Sequence, residues 1–382
     1  MFIKEVVKQI EVSDIRRIAE KMNGTEDEIN LTIGEPDLEV PQVIKEAVAY
    51  HALNTKIKYS PVGGLPELRK KIAEFYNKKF GGNYNGDNVI VTVGSTEGLS
   101  STLETILTTG DEVLIPTPSY VGYEPLIKIY GATPIFMDLR ENNFNLTREI
   151  LEKYITDKTK LIILTYPNNP SGTIMPETEM RKIVDLLKEK EIYLVSDEIY
   201  ASVAFGEYTS FAKFSKELYE QLIIVSGFSK SHGMTGYRVG YTITSEKTQS
   251  HVKKVSQYNI ASPSTISQYA AITALDNCYD TSEFSKVYER RVKYMISELE
   301  KIGFKVLEPK GAFYIFASYE GIEKIKNMKS YDFVMDLLEK AKLGIVPGST
   351  FKVEGYVRIS IIFDEPVLKE AVNRIKNYID NL

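Results

Sequence analysis

Short β-rich runs alternate with helical stretches through the middle of the chain. Residues 89–93 predict a strand and residues 96–107 a helix. Further along, strands at 161–165 and 192–196 flank a helix at 177–190. Such alternation is typical of a mostly parallel sheet covered by helices, and it predicts an α/β fold. In such folds ligands bind at the carboxyl ends of the strands, so candidate functional residues should lie there.

The remaining strands predicted for this sheet are residues 112–115, 133–137, 222–226 and 237–242. The C-terminal part of the chain has a different pattern. After about residue 280 a long charged helix (284–302) precedes strands at 312–316 and 356–361. We therefore predict a large domain at 47–280 that holds the sheet. A smaller α+β domain would consist of residues 1–46 and 281–382.

Composition narrows the possible partners. The net charge of −5 over 382 residues argues against nucleic acid as the main partner. A single cysteine permits no intrachain disulfide, and no segment approaches the roughly 20 apolar residues that a membrane span needs. We expect a cytoplasmic protein with no membrane partner. The three histidines are scattered without metal-ligand spacing, so we expect no metal.

Two turns at strand ends are candidate ligand contacts. Gly94, Ser95 and Thr96 stand between a predicted strand and helix, where backbone N–H groups and the helix dipole would hold a phosphate. A simple tight turn also explains that glycine. The second turn, YPNNPSGT at 166–173, follows a strand and places the Asn169 amide where it could bond a ligand oxygen. Its prolines and glycine also fit a purely structural turn.

Asp197 follows the apolar strand at 192–196, where the chain emerges from the core. A carboxylate at that place can keep the ring nitrogen of a ligand protonated, because the paired ion favours the charged form. The alternative is a helix N-cap, which aspartate also serves well.

The strongest signal is a lysine among small residues, in the segment SGFSKSHGMTGYRVG at 226–240. Lys230 follows an apolar strand, and Arg238 stands eight residues later between Gly236 and Gly240. A lysine shielded from water loses its proton more readily, which suits it to Schiff-base chemistry.

At these clusters the sequence resembles the class I/II (fold-type I) aminotransferases that depend on pyridoxal 5'-phosphate. Further matching segments, in the same order along the chain, are LTIGEPD (31–37), YSPVGGLPELR (59–69), PTPSY (116–120), KGAFY (310–314) and GYVRIS (355–360). The resemblance covers nearly the whole chain. It implies a fold with a mostly parallel central sheet, a smaller α+β domain and an aminotransferase activity.

The resemblance also implies catalytic roles for Lys230, Asp197 and Tyr200. Lys230 would carry the cofactor covalently and then move a proton between the substrate Cα and the cofactor C4'. Asp197 would pair with the pyridinium nitrogen. Asn169 and Tyr200 would hydrogen-bond the phenolic O3', and Tyr120 would stack on the ring.

Phosphate ligation would fall to Arg238 together with Ser95 and Thr96. Many relatives have a phosphate-contacting serine three residues before the lysine, where this chain has Gly227. Either Ser229 or Ser226 could take the place of that serine, and the resemblance leaves both open.

For the substrate, the resemblance implies that Arg358 binds the α-carboxylate in a bidentate pair, beside the Gly34 backbone and Asn169. Tyr59 would reach the phosphate of a neighbouring subunit. A homodimer with shared active sites is therefore expected, with a small amino acid and a 2-oxo acid as the other partners.

Finer motifs bear on the substrate. The segments SKSH (229–232), MTG (234–236), SQYN (256–259) and YEP (123–125) are similar to a bacterial branch of aromatic amino-acid and N-acetyl-L,L-diaminopimelate aminotransferases. We expect 2-oxoglutarate as the acceptor. Aspartate is the alternative donor, although Thr96 stands where aspartate/prephenate aminotransferases of this type place a lysine.

Two other functions use a similar fold. A β-C–S lyase would eliminate a β-substituent, but such enzymes usually carry a histidine in the Asn-Pro turn, which here reads NNPSGT. A pyridoxal-phosphate-responsive transcription regulator would carry a winged-helix domain before the aminotransferase-like module. Here the resemblance begins by about residue 12, which favours the enzyme.

Overall fold

The computed structural model describes residues 2–22 and 27–382. The strands are β1 (Ile29–Asn30), β2 (Val89–Thr92), β3 (Glu112–Thr117), β4 (Thr133–Asp138), β5 (Thr159–Thr165), β6 (Tyr193–Asp197), β7 (Leu222–Gly227), β8 (Gly240–Ile243), β9 (Lys305–Val306), β10 (Tyr314–Ser318), β11 (Leu343–Gly344), β12 (Val346–Pro347) and β13 (Tyr356–Ser360). The α-helices are α1 (Glu5–Gln9), α2 (Asp14–Lys21), α3 (Gln42–Asn54), α4 (Pro66–Phe80), α5 (Gly94–Ile106), α6 (Tyr123–Ile129), α7 (Arg148–Tyr154), α8 (Glu177–Leu187), α9 (Glu246–Ile260), α10 (Thr265–Asn277), α11 (Ser282–Lys301), α12 (Ser330–Ala341) and α13 (Glu365–Asp380). Short 3₁₀ segments lie at Gly86–Asn88, Arg140–Asn142, Ala201–Val203, Phe211–Phe214 and Gly348–Phe351.

The larger sheet has seven strands in the order β2-β8-β7-β6-β5-β3-β4. Strand β8 runs antiparallel to both of its neighbours, and all other pairs are parallel. The prediction of a mostly parallel central sheet flanked by helices is confirmed. The central strands are buried on both faces, which is why their sequences are nearly continuous apolar runs.

Each face of this sheet has its own apolar core. Because successive side chains of a strand point to opposite faces, Leu161 and Ile163 of β5 pack on one side, while Ile162 and Leu164 pack on the other. The first side is covered by α5 and α6, and the second by α3, α4, α8 and α10. This packing fixes where each strand ends.

A second sheet, antiparallel in the order β12-β13-β10-β9, lies with α11, α12 and α13 around another apolar core. Two N-terminal elements pack with these segments: Ile18 of α2 is buried in that core, and β1 pairs in parallel with β11 in a separate two-stranded sheet. The core beside the smaller sheet therefore contains residues from both ends of the chain. The proposed domain limits (47–280 against 1–46 and 281–382) stay a prediction. Residues 1 and 23–26 of the predicted small domain lie outside the described residues.

Two strands begin later than their sequence patterns indicate. The pattern predicts strands from residues 237 and 312, yet β8 begins at Gly240 and β10 at Tyr314. In both cases the residue two positions earlier has a left-handed backbone, with φ of 50° at Arg238 and 61° at Ala312. Such a conformation cannot be part of a strand, so the ladder starts after it.

Candidate active site

A cavity of about 380 Å³ opens where the carboxyl ends of the parallel strands face the smaller sheet. It collects nearly all of the residues singled out from the sequence. They are Gly34, Ser95, Thr96, Tyr120, Asn169, Asp197, Tyr200, Ser229, Lys230, Arg238 and Arg358. Segments that are distant in the sequence therefore meet at one site.

Tyr59 is the one candidate that does not line this cavity. Its side chain is 91% exposed, in the loop that precedes α4. A role at the site of the same chain is excluded by this placement. The expected contact with a neighbouring subunit stays a prediction.

Lys230 lies just beyond β7, and its partly buried Nζ donates a hydrogen bond to the Gly34 carbonyl. Burial is the main cause that lowers the pKa of Lys230 to about 8; the Glu35 charge opposes this shift, and the nearby Arg238 and Arg358 charges add to it. At neutral pH, a larger fraction of this amine is uncharged than of an exposed lysine. The neutral amine is the nucleophile that attacks an aldehyde.

Asp197 is the last residue of β6, and its carboxylate faces the cavity. The Tyr123 hydroxyl donates to Oδ2 at 2.7 Å, and the Ile199 amide donates to Oδ1 at 3.2 Å. Burial raises the pKa of Asp197 to about 6, although both hydrogen bonds favour the ionised form. A cationic ring nitrogen in the cavity would supply the missing counter-charge.

A cradle for an anion lies at the start of α5. The backbone at Gly94 is left-handed, and a Cβ there would lie 2.4 Å from Arg238 Nη2. A Cβ on Gly240 would lie 2.5 Å from the Ser95 amide nitrogen. Glycine at both positions therefore lets the guanidinium and the first amides of the helix come together. Amides at a helix N-terminus beside an arginine favour a phosphate.

Gly227, where relatives have a serine, is explained by close packing. It faces Gly240 across the β7–β8 pair, and a Cβ on Gly227 would lie 2.9 Å from the Gly240 Cα. The neighbouring Ser226 hydroxyl is turned away and donates to the Glu198 carbonyl at 3.1 Å. Ser229 does line the cavity, so it is the serine of this segment that is available to a ligand.

Arg358 projects from β13 and is only 2% exposed. It donates to the Thr32 carbonyl and, at 3.2 Å, to Asn169 Oδ1, and its guanidinium lies 4.6 Å from the centre of the Tyr314 ring. Burial lowers its pKa, and its Nε has no hydrogen-bond partner among the residues that the structure describes. A buried cation without a carboxylate partner is costly, so this arrangement favours binding of an anion.

Tyrosines form much of the remaining wall. The Tyr200 and Tyr314 hydroxyls lie 2.7 Å apart, and burial raises the pKa of Tyr200 well above its usual value. Tyr120 packs edge-on against Tyr123, with ring centres 5.3 Å apart. The three phenols that line the cavity (Tyr120, Tyr200 and Tyr314) all have pKa values raised by burial, so they stay protonated and can donate hydrogen bonds.

Sequence reasoning assigned no role to several residues at this site. Tyr123 and Tyr314 occur in matching segments, but their contacts with Asp197 and Tyr200 depend on tertiary packing. Arg16 and Glu35 also line the cavity. Glu35 could have been found from the matching segment LTIGEPD, whereas nothing local distinguishes Arg16 from its neighbour Arg17.

His232, close to Lys230 in sequence, does not line the cavity. It is buried, its ring nitrogens contact Ser231 Oγ at 2.7 Å and the Cys278 carbonyl at 3.0 Å, and burial lowers its pKa to about 4. It is a neutral packing residue. Across residues 2–22 and 27–382, no cluster of three or more His, Cys, Asp or Glu side chains is placed to hold a metal ion. Nor does any helix within those ranges have the length and apolar character to cross a bilayer.

Comparison with known proteins identifies the family. The model of the family described as aminotransferase class I and II matches residues 26–375. A probable N-acetyl-LL-diaminopimelate aminotransferase of Bacillus subtilis is 38% identical, over 97% of this chain and 94% of its own length. An aspartate aminotransferase of Pyrococcus horikoshii is 37% identical, over 99% of this chain and 97% of its own length.

Solved structures agree with the sequence relatives. The aspartate aminotransferase of Thermus thermophilus with maleate has a TM-score of 0.93 at 31% identity, covering 99% of this chain and 100% of that one. The aspartate aminotransferase of Rhizobium meliloti has a TM-score of 0.94 at 30% identity, and the match covers 100% of this chain and 99% of that one. This chain thus belongs to the class I and II aminotransferases and is an aminotransferase that depends on pyridoxal 5'-phosphate.

Proposed function

We propose that this aminotransferase exchanges the amino group between glutamate and 2-oxoglutarate on one side and an aromatic or N-acetyl-L,L-diaminopimelate-like amino acid on the other. The observation that carries the proposal is the buried guanidinium of Arg358, which lies in the same cavity as Lys230 and has no carboxylate partner among the described residues. It offers an α-carboxylate a site beside a reactive amine. Support for the donor class comes from the Bacillus subtilis relative and from the motifs shared with that branch.

The residues present fit pyridoxal 5'-phosphate. Lys230 would bind the aldehyde carbon, and the Asp197 carboxylate would pair with the ring nitrogen. Arg238, with the Ser95 and Thr96 amides, would hold the phosphate in the cradle that Gly94 and Gly240 keep open, and Ser229 would add a hydroxyl. When bound, the cofactor supplies an electron sink for the negative charge that forms at the substrate Cα.

The protein's own contribution is orientation, charge and proton movement. Once the substrate has displaced it, the Lys230 amine would carry a proton between the substrate Cα and the cofactor C4'. Tyr200 and Asn169 would hydrogen-bond the O3' oxygen, and Tyr120 would cover the ring. Because Asp197 is buried, its charge acts on the ring nitrogen with little screening by water.

The substrate α-carboxylate would bind Arg358 in a bidentate pair. Arg358 presently donates to Asn169 and to the Thr32 carbonyl, so the incoming carboxylate would take over part of this hydrogen bonding. The Gly34 carbonyl, which accepts from Lys230, lies at the same end of the site. This arrangement would set the Cα–H bond next to the amine that removes its proton.

A panel of amino donors with 2-oxoglutarate tests the proposed function. We expect the purified holoenzyme to convert N-acetyl-L,L-diaminopimelate or an aromatic amino acid with a kcat/KM above that for aspartate, because no lysine stands at position 96. Stopped-flow absorbance of each half-reaction ranks the donors without an acceptor being present. Aspartate reacting far faster than every other donor would contradict the proposed donor class.

Aspartate aminotransferase is the second candidate, since relatives with that name align over almost the whole chain. The same donor panel decides between the two. Cystathionine without an oxo acid is the matched test for the lyase alternative. Release of pyruvate from it at rates comparable with transamination would favour a β-C–S lyase.

We also propose a homodimer in which Tyr59 contacts the cofactor phosphate of the other subunit. Several large apolar or aromatic side chains of α3, of the segment between α3 and α4 and of α9 are exposed, namely Tyr50, Leu53, Ile57, Tyr59 and Tyr258. Burying this surface against a second copy would remove apolar area from water. Sedimentation velocity is expected to show a dimer, and a fully active monomer would rule out the shared site.

A further inference from the structure

One cation of the cavity has no part in the proposed reaction. Arg16 belongs to α2 and lines the cavity together with Ser13 and Ile15. The helix is firmly attached: Ile18 is fully buried in the core of the smaller sheet, and Asp14 Oδ2 accepts a hydrogen bond of 2.7 Å from Thr350. The backbone at Arg16 is therefore held at the cavity, while its side chain remains exposed.

Arg16 differs from the arginine beside it in its partners. Arg17 pairs with Asp14 at 2.5 Å and with Glu11 at 3.3 Å. Arg16 forms no ion pair with any residue in the described ranges 2–22 and 27–382. Asp14 and Glu11 thus pair with Arg17, which does not line the cavity, and not with Arg16, which does.

The charges in the cavity leave Arg16 free for a ligand. Its cationic side chains are Arg16, Lys230, Arg238 and Arg358, and its carboxylates are Glu35 and Asp197. Glu35 accepts from the Thr235 hydroxyl. On the proposed function, Arg238 takes the cofactor phosphate and Arg358 the substrate α-carboxylate. Arg16 then remains as the cation for a third anionic group.

Arg16 and Tyr120 line the same cavity. Burial raises the pKa of this phenol, Asp197 adds to the rise, and the charges of Arg16 and Arg238 both oppose it. Arg16 therefore acts at the wall formed by Tyr120. Thr96, where some relatives have a lysine for a distal carboxylate, supplies no charge.

We infer that Arg16 binds the distal carboxylate of dicarboxylic substrates and selects amino and oxo acids of the glutamate and 2-oxoglutarate class. The inference rests on the proposed function, because it assumes that Arg358 takes the α-carboxylate. The selecting cation would come from an N-terminal helix rather than from the start of α5. A planar guanidinium suits this task, because it binds a carboxylate through two parallel hydrogen bonds.

The test compares Arg16→Gln with Arg17→Gln in the holoenzyme. Binding of glutarate and of butyrate, which differ by the distal carboxylate and carry no amino or oxo group, is measured by calorimetry. Loss of a charge-assisted pair should raise the Kd for glutarate roughly 10- to 100-fold in Arg16→Gln. Butyrate binding should stay unchanged in that variant, and Arg17→Gln should bind both acids like the unmodified protein.

Kinetics add a second readout. Arg16→Gln should lower kcat/KM for 2-oxoglutarate without a matching loss for pyruvate, and Arg16→Lys should restore part of it. An equal loss of kcat/KM for 2-oxoglutarate and pyruvate would overturn the inference. So would unchanged glutarate affinity in Arg16→Gln. Arg16-dependent glutarate binding in a protein that cannot transaminate 2-oxoglutarate would support the role of Arg16 and contradict the proposed function, so the two can fail separately.

Discussion

Replacing Lys230 with alanine is expected to lower kcat by roughly 10⁴-fold or more, because one side chain is lost that would serve both as covalent anchor and as proton carrier. The amine lies beyond β7 and is tied to the Gly34 carbonyl. No other lysine lines the cavity, within the part of the chain that the structure describes, to take its place. Alanine removes the hydrogen bond to the Gly34 carbonyl but leaves the backbone unchanged, so the fold should be retained.

Absorbance and pH dependence identify the cause of that loss. The unmodified protein should capture pyridoxal 5'-phosphate at a rate that rises with pH through about 8, because burial lowers the pKa of Lys230 to about 8 and only the neutral amine reacts. Above that pH the rate should level off, whereas an exposed lysine would continue to gain reactivity toward its usual pKa near 10.4. The Lys230→Ala protein should show no such pH-dependent covalent capture of the cofactor.

Lys216→Ala is the matched control, since Lys216 is exposed and does not line the cavity. It should show the same capture rate and the same kcat as the unmodified protein. Retention of covalent cofactor in Lys230→Ala, or a capture midpoint near that of an exposed lysine, would show that another amine is the anchor.

Replacing Asp197 with asparagine is expected to lower kcat by roughly 10²- to 10³-fold. The carboxylate is buried, and Tyr123 and the Ile199 amide hold it in place. Asparagine keeps the size and can keep part of the hydrogen bonding, but it carries no charge to hold a proton on the ring nitrogen. The cofactor would then stabilise the developing negative charge less well, although covalent attachment through Lys230 should persist.

Glu198→Gln provides a neighbouring control. Glu198 is also a buried carboxyl, but it accepts hydrogen bonds from Ser196, Ser210 and the Phe211 amide and does not line the cavity. Burial raises its pKa to about 7, so the neutral glutamine resembles a form that is already populated near neutral pH. Its kcat should stay close to that of the unmodified protein. Comparable losses in Asp197→Asn and Glu198→Gln would mean that general disruption, rather than charge at the ring, accounts for the effect.

The sequence was informative wherever a site residue follows directly from a strand. Asp197 ends β6 and Lys230 lies just beyond β7, and both strands are apolar runs that could only be buried. Since the carboxyl ends of parallel strands share one edge of the sheet, these residues were expected to meet, and they line one cavity. Matching motifs then supplied Arg358, which no local pattern would have connected with Lys230.

Contacts that depend on packing between distant elements could not be predicted. Tyr123 is the first residue of α6, and its bond to Asp197 requires α6 to pack beside β6. Arg16 and Arg17 are equivalent in local sequence, and only the attachment of α2 to the smaller sheet decides which faces the cavity. The late starts of β8 and β10 have the same origin, because a left-handed residue is compatible with a β-rich pattern but not with a strand.

The hydrogen bond between Arg358 and Asn169 joins the smaller sheet to the turn after β5, inside the cavity. On the proposed function, a substrate carboxylate at Arg358 would rearrange this bond and would thereby link ligand occupancy to the relative position of the two sheets. By reciprocity, a change that shifts the equilibrium position of the two sheets would then also change substrate affinity, even when it lies far from the cavity. Substitutions at the contact between the two sheets would therefore change substrate affinity without touching the substrate.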